Sequence, residues 1–455
     1  MPRKKKPLPY TTLYYPNQVT VSDLQHEVMN DYNGKIADVN FFLFFHILCE
    51  PYVEFGATPD EYVQVHSDIL RCIFRDCYAD VIASLVKYEY IQENASYSTA
   101  YHYCKSYRIH PKRMDVTVPL EFVKEEVNGY FQRKLNRLKS TNLCHERTDN
   151  ARQHVIDQTH QLMLVLDVDA LEYIADQYRQ KRNPNPPETY GTYFNNCPLK
   201  RVGIDRFGNR VHSVITNMPK VLRRCLRFVT SPLVPVREID IVNSQPYFLS
   251  SVTSALIAQF VPDAGKAVAA FAKYETCPNF IKFKDLCRDG RIYEYLQAAY
   301  ELDYGTLCEG DDKAKRDFTK RLTYGVLFGD YDLKDSMLDT LRKTWLAQVK
   351  NDFYKVYKQE FQTVYQLFKE VKGLYMECTV NKAGERKQYA NNCLIAQRLE
   401  SGVMYSHIVQ ACVDNGYTEV VTVHDCVIVR EDEYEQVKAI ALNEFNALGL
   451  NPKFK

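Results

Sequence analysis

Two short stretches of the chain carry a single acid inside an apolar, β-branched run. The longer is Val420-Val421-Thr422-Val423-His424-Asp425-Cys426-Val427-Ile428-Val429. If it stays extended, alternation puts Val421, Val423, Asp425, Val427 and Val429 on one face. The other is Val236-Arg237-Glu238-Ile239-Asp240-Ile241-Val242, where Asp240 stands between isoleucines just before Asn243-Ser244-Gln245-Pro246. Around these strands the pattern is helical. Residues 20 to 135 read mostly as helix, with mixed apolar segments at Ala37 to Cys49 and Tyr62 to Ile91. Residues 150 to 182 predict a long helical connection ended by Asn183-Pro184-Asn185-Pro186-Pro187. The prolines of Ser231-Pro232-Leu233-Val234-Pro235 lead into the Asp240 strand, where its first residues tolerate them. Ser244 with Pro246 marks a helix start, and residues 251 to 394 are mainly helical. No internal repeat or low-complexity tract interrupts the pattern.

A carboxylate among β-branched residues is costly to bury unless a cation or hydrogen-bond donors compensate it. Two strand-borne aspartates far apart in sequence are what a two-metal phosphoryl-transfer site needs, each helping to clamp Mg²⁺ ions. Taken singly, each strand supports that idea weakly, because an Asp in an apolar strand is often a turn residue or half of an ion pair. A third segment adds to the picture: Arg316-Asp317-Phe318-Thr319-Lys320-Arg321-Leu322-Thr323-Tyr324-Gly325-Val326-Leu327-Phe328-Gly329. Steps of four along a helix drift by only about 40°, so Arg316, Lys320, Tyr324 and Phe328 share one stripe. Two cations followed by two aromatics would grip a triphosphate at one end and stack on a base at the other. The competing reading is a boundary helix with a solvated charged end and an aromatic end in the core.

In this order the three segments resemble the family A DNA polymerases, the bacterial polymerase I type. That family's fingers helix reads Arg, three residues, Lys, seven residues, Tyr-Gly; here Arg316, Lys320 and Phe328-Gly329 hold those spacings, with Phe for Tyr. Its Val-His-Asp hairpin matches Val423-His424-Asp425, with Cys426 for the usual Glu. Its first palm motif, Asp, any residue, Ser-Gln, appears as Asp240-Ile241-Val242-Asn243-Ser244-Gln245, two residues longer. Gly208-Asn209-Arg210-Val211-His212-Ser213, with Asn217-Met218-Pro219 and Arg223, resembles the segment that contacts the primer-template minor groove. Gln397-Arg398 resembles the helix carrying a template-contacting Gln; without the resemblance, a solvated turn and an amphipathic helix serve as well. The likeness covers about residues 165 to 455, and Ser-Gln-Pro is similar to the compact polymerases of viruses and mobile elements.

The resemblance implies an α+β fold: a right-hand palm with an antiparallel sheet (residues 200–250 and 395–455) and helical fingers (about 251–394), after a mostly helical amino-terminal domain over 1–164. It implies template-directed addition of dNTPs to a primer 3′ end, with Asp240 and Asp425 catalytic and holding two Mg²⁺ ions. Arg316 and Lys320 would neutralise the β- and γ-phosphates, Tyr324 would stack on the incoming nucleotide, and Phe328 would shape the templating pocket. Gln245 and Tyr247 complete the expected substrate contacts. Aligning on Ser244-Gln245 puts Tyr247 where relatives carry the Glu that blocks a ribose 2′-hydroxyl, although Tyr247 packing in the palm core competes with that gate. His424, Arg210 and Gln397 would contact primer-template DNA. A replication accessory protein is a possible further partner. The rival functions are a single-subunit RNA polymerase or primase, and a non-catalytic DNA-binding replication protein, for which paired aspartates have no use.

Composition changes little. Among 455 residues, 58 basic side chains meet 57 acidic ones, so a nucleic-acid surface must be local. Arg133-Lys134-Leu135-Asn136-Arg137-Leu138-Lys139 and Arg179-Gln180-Lys181-Arg182 are such localities, or solvated helix faces. Fourteen cysteines without a C-x-x-C pair predict free thiols in a reducing, intracellular compartment, cytoplasmic or nuclear. Cys144-His145 with His154 and His160 fits no standard zinc spacing. Pro2-Arg3-Lys4-Lys5-Lys6-Pro7 reads as a basic arm resembling a nuclear-import signal. No apolar run is long enough to span a bilayer. Asp167-Val168-Asp169 would suit a proofreading nuclease, but a structural helix with solvated acids is the preferred reading, and no exonuclease site is expected.

Overall fold

The apolar runs become helices and small antiparallel sheets, a mixed α+β arrangement seen in a computed structural model. It describes residues 10–29, 36–54, 61–94, 96, 104–140, 149–197, 200, 202–336, 344–379 and 387–455. The basic arm at residues 2–7 and the Cys144-His145 pair lie outside the described residues. Among the described residues the cysteines are free thiols, and no helix is long and apolar enough to cross a membrane.

The chain divides into two compact units, residues 1–146, 156–203 and 213–236 forming one and residues 147–155, 204–212 and 237–455 the other. The expected boundary at 164/165 falls inside the first unit. That unit is organised on the helix Asp38–Val53, whose Phe41, Leu43, Phe44, Phe45 and Ile47 are all buried. Against it run strands that the helical reading of residues 20–135 did not anticipate. Tyr10–Tyr15 pairs antiparallel with Glu121–Glu126, and Ser106–Ile109 lies between Val63–Gln64 and Ile91–Asn94. These strands are short, and their stabilising cross-strand partners, such as Leu13 with Val123, are distant in sequence.

The connection predicted over 150–182 is broken in the same way. Helix Asn150–His160 gives way to strand Leu162–Leu164, which pairs with Leu226–Phe228, before helix Val168–Gln180 begins. Asp167 caps that last helix by accepting the Ala170 N–H at 2.8 Å, and Arg224 pairs with Asp167 at 3.2 Å and Asp169 at 2.6 Å. The two acids therefore have structural partners. Lys134, in the first basic run, points inward: its ammonium donates to Asn40 and to the Ile73 carbonyl.

The second unit holds a three-stranded sheet in the order Val236–Asp240, Cys426–Arg430, Val420–Val423. Residues 453–455 lie antiparallel along Asp240 to Val242, with Val242 N–H donating to the Lys453 carbonyl and Lys455 N–H to the Asp240 carbonyl, both at 2.9 Å. Helix Tyr434–Ala447 buries Val437, Ala441 and Phe445, and the Phe248 ring of helix Ser244–Ser251 stands 6.3 Å from Phe445. Helix Asp312–Phe328 starts on an Asp311 cap and buries Thr319, Leu322, Thr323, Val326 and Leu327. Helix Asn391–Ser401 runs directly into a π-helical stretch, Gly402–Val409, and then into Gln410–Asp414. Gly402 opens that stretch, and a Cβ there would run into the Phe260 ring. Gly402→Ala is expected to cost about 1–3 kcal/mol through overpacking, read as a lower urea midpoint at unchanged slope. An unshifted midpoint would show that Phe260 yields freely.

Candidate active site

The run from Val420 to Val429 is not one extended strand. Val423 and Cys426 are the last paired residues, so His424 and Asp425 form a two-residue turn. His424 takes a left-handed backbone, φ 54°, at a cost of about 1–2 kcal/mol for a residue with a Cβ. All four residues of Val420–Val423 are buried, so this arm shows no in-out alternation. The turn projects Asp425 from the end of the hairpin. Asp240 is the last residue of the strand beside Cys426–Arg430, followed by Asn243, also left-handed (φ 54°), and helix Ser244–Ser251.

The two carboxylates sense each other. Burial pushes the Asp425 carboxyl above its usual range and the negative charge of Asp240 raises it further, while a Ser244 hydrogen bond and the Lys455 ammonium oppose them. Asp240 is 15% exposed and its Oδ2 receives the Lys455 ammonium at 2.8 Å.

A third carboxylate, Glu400 on helix Asn391–Ser401, was not singled out by the sequence. It is 0% exposed, paired with Arg210 at 2.7 Å, and accepts a hydrogen bond from Gln245 at 2.5 Å. Burial pushes its carboxyl up to about 8; Arg210 opposes the shift and the charge of Asp425 adds to it. Its spacing of three from Gln397 was the available signal, but an acid on an amphipathic helix ordinarily faces water.

Arg210 reaches Glu400 from the hairpin at residues 204–212, closed by Asp205. The Asp205 carboxylate accepts the backbone N–H groups of Gly208 and Arg210 (2.5 and 2.9 Å) and pairs with His212 at 3.2 Å. Arg398 donates to the Phe207 and Arg206 carbonyls, and Arg152 to the Asn209 carbonyl and the Ser401 hydroxyl. The Tyr405 hydroxyl, in the π-helical stretch, accepts from Val211 N–H and the Thr422 hydroxyl. Hairpin, long helix and catalytic-candidate strand are thereby tied to one side chain. His212 meets His424 edge to face at 5.2 Å, and Gln397, beside Gly208, donates to the Cys393 sulfur.

On helix Asp312–Phe328 the residues Arg316, Lys320, Tyr324 and Phe328 are all half-buried, along one stripe. Arg316 pairs with Glu294 at 2.6 Å and donates to the Asn243 side chain at 3.3 Å. Lys320 lies 5.7 Å from the Tyr324 ring centre, and the Tyr324 and Phe328 rings are 5.9 Å apart. Burial pushes the Tyr324 phenol up; the Tyr293 hydroxyl opposes it, and the charges of Asp425, Glu400 and Arg210 all act on it. The stripe and the carboxylates thus share one electrostatic neighbourhood.

Tyr247 stands apart from the other expected site residues. It is 2% exposed, packs edge to face on Phe248, and accepts the Asn451 N–H at 3.0 Å. That is a core placement, and a ribose gate needs a ring at a surface the sugar can meet. Of the histidines drawn into the zinc reading, His154 bonds the Thr418 carbonyl at 2.7 Å. Burial pushes His160 down to about 4, with Lys139 and Lys200 adding to that effect.

Among the described residues no group of three or more His, Cys, Asp and Glu forms a metal centre. Two carboxylates on neighbouring segments nevertheless fit Mg²⁺, which is commonly held by one or two carboxylates plus water and substrate phosphates. The charge of Asp240 helps push the Asp425 carboxyl up, a repulsion that a cation held between the two would relieve. No model of a known protein family matches the chain, and no curated protein matches it.

Proposed function

We propose that the chain is a template-directed DNA polymerase of the family A type, extending a primer 3′ end with dNTPs. The observation that carries this reading is the meeting of Asp240 and Asp425 within the electrostatic reach of Tyr324, on a helix whose same stripe bears Arg316 and Lys320. Mg²⁺ held by Asp240 and Asp425 would lower the barrier for attack of a primer hydroxyl on the α-phosphate. Arg316 and Lys320 neutralise the outer phosphates, as charge-assisted donors do best from a half-buried position. Tyr324 stacks on the incoming base, and Phe328 borders the templating position. Glu400, itself held by Gln245, pairs with Arg210, so the guanidinium is held in place for the duplex rather than searching for it. Gln397 and His424 complete the duplex contacts.

Purified protein with Mg²⁺, a primed template and either dNTPs or NTPs tests the reading. Extension with dNTPs supports it, and extension with NTPs alone replaces it by an RNA polymerase. DNA binding without any synthesis replaces it by a non-catalytic replication protein.

Tyr324 gives a sharper test. In the family that the chain resembles, a Tyr at this position goes with ready use of dideoxynucleotides, its hydroxyl substituting for the missing 3′-hydroxyl contact. Wild type is expected to use dideoxynucleotides readily, and Tyr324→Phe to discriminate against them by about one to two orders of magnitude, the worth of one lost buried hydrogen bond. Equal incorporation ratios in the two proteins would remove the hydroxyl from this role.

A further inference from the structure

We infer that Lys455 is a built-in counter-cation of the carboxylate pair, whose ammonium competes with divalent metal for Asp240. The inference rests on the metal-site reading above, but concerns a residue that reading does not use. The Lys455 ammonium sits 2.8 Å from Asp240 Oδ2, and its charge also acts on Asp425. It therefore stands on an oxygen that a metal ion would need.

Its position is fixed by the backbone rather than by the ion pair. Residues 451–455 are held by the Val242 to Lys453 and Lys455 to Asp240 backbone bonds and by the antiparallel bridge between Ile241 and Phe454. The Phe454 ring packs 6.0 Å from Phe445, and the Asn451 N–H is taken by the Tyr247 hydroxyl. Lys453, the other cation on this segment, approaches Asp289 at 4.0 Å. The Lys455 side chain itself is 55% exposed, so its head can swing into water while the backbone strand stays paired. A strongly held, buried ammonium would block the site; an exposed one only screens the two carboxylates until metal arrives. Displacement of one ammonium by one divalent ion also keeps the local charge from becoming uncompensated at any stage.

The test uses the full-length chain and Mn²⁺ as the probe, with free Mn²⁺ counted by electron paramagnetic resonance. Lys455→Gln is expected to bind Mn²⁺ about two- to fivefold tighter than wild type, the range an exposed ion pair supplies. Lys455→Arg should stay within the wild-type range, and Asp240→Asn should lose the site. In wild type, reductive methylation of Lys455 should speed up on adding Mg²⁺, because the displaced amine becomes free to react. Equal Mn²⁺ affinity in wild type and Lys455→Gln overturns the inference, as does the absence of any Mn²⁺ site or methylation indifferent to Mg²⁺. Primer extension measured in parallel separates the two ideas. Tighter Mn²⁺ binding without synthesis leaves the counter-cation and removes the polymerase; synthesis with equal affinities does the reverse.

Discussion

Asp240→Asn and Asp425→Asn should each lower primer extension by at least about a thousandfold while duplex binding stays within a few-fold of wild type. Asn keeps the shape of the side chain and removes its charge, so the change isolates metal ligation. A thousandfold is about 4 kcal/mol of transition-state stabilisation, an ordinary contribution for charge neutralisation by bound metal. Unfolding is not an alternative cause of such a loss. Asp425 is held at a raised carboxyl value by burial and by Asp240, so removing its charge relieves repulsion rather than creating it. Asp240→Asn gives up one partly exposed pair with Lys455, worth about 1 kcal/mol or less. Thermal melts of both variants should therefore lie close to wild type. Near-normal extension by either variant would show that its aspartate holds no metal.

How much of this site was legible depends on what each residue shows in one dimension. Asp240 and Asp425 stood out because acids are rare inside β-branched runs, and the Arg316 to Phe328 stripe because its spacing of four is helical. Ser244 with Pro246 gave the helix start at Ser244–Ser251. The His424-Asp425 turn was legible only through the likeness to a Val-His-Asp hairpin; alternation alone did not show it, since its two arms have the same composition and no Gly or Asn marks the reversal. Glu400 was hidden because its meaning comes from Arg210 and Gln245, which belong to distant segments. Tyr247 looked available in the sequence, yet its hydroxyl is taken by Asn451, far along the chain. The strands between residues 91 and 126 were missed for the same reason, as their partners and not their own periods hold them. Local pattern exposed the candidate residues on each element; pairing between elements decided which side chains meet.

Glu400→Gln should make the metal-free protein less sensitive to alkali. In the folded protein the Glu400 carboxyl is pushed up to about 8 from an ordinary 4.5, with burial as the main cause. Between those values the folded chain keeps a proton that the unfolded chain has released, so raising the pH favours unfolding. The cost is absent below about pH 4.5, grows through the window and is complete above about pH 8, reaching up to about 5 kcal/mol at 1.36 kcal/mol per pH unit. Glutamine resembles the protonated acid and does not titrate. Wild type and variant should thus unfold at similar urea concentrations near pH 5, with EDTA present, and separate progressively towards pH 9, the variant being the more stable. A wild-type-to-variant gap that is the same at pH 5 and pH 9 would mean that Arg210 holds Glu400 ionised throughout. The buried carboxylate would then be a fixed anchor for that guanidinium.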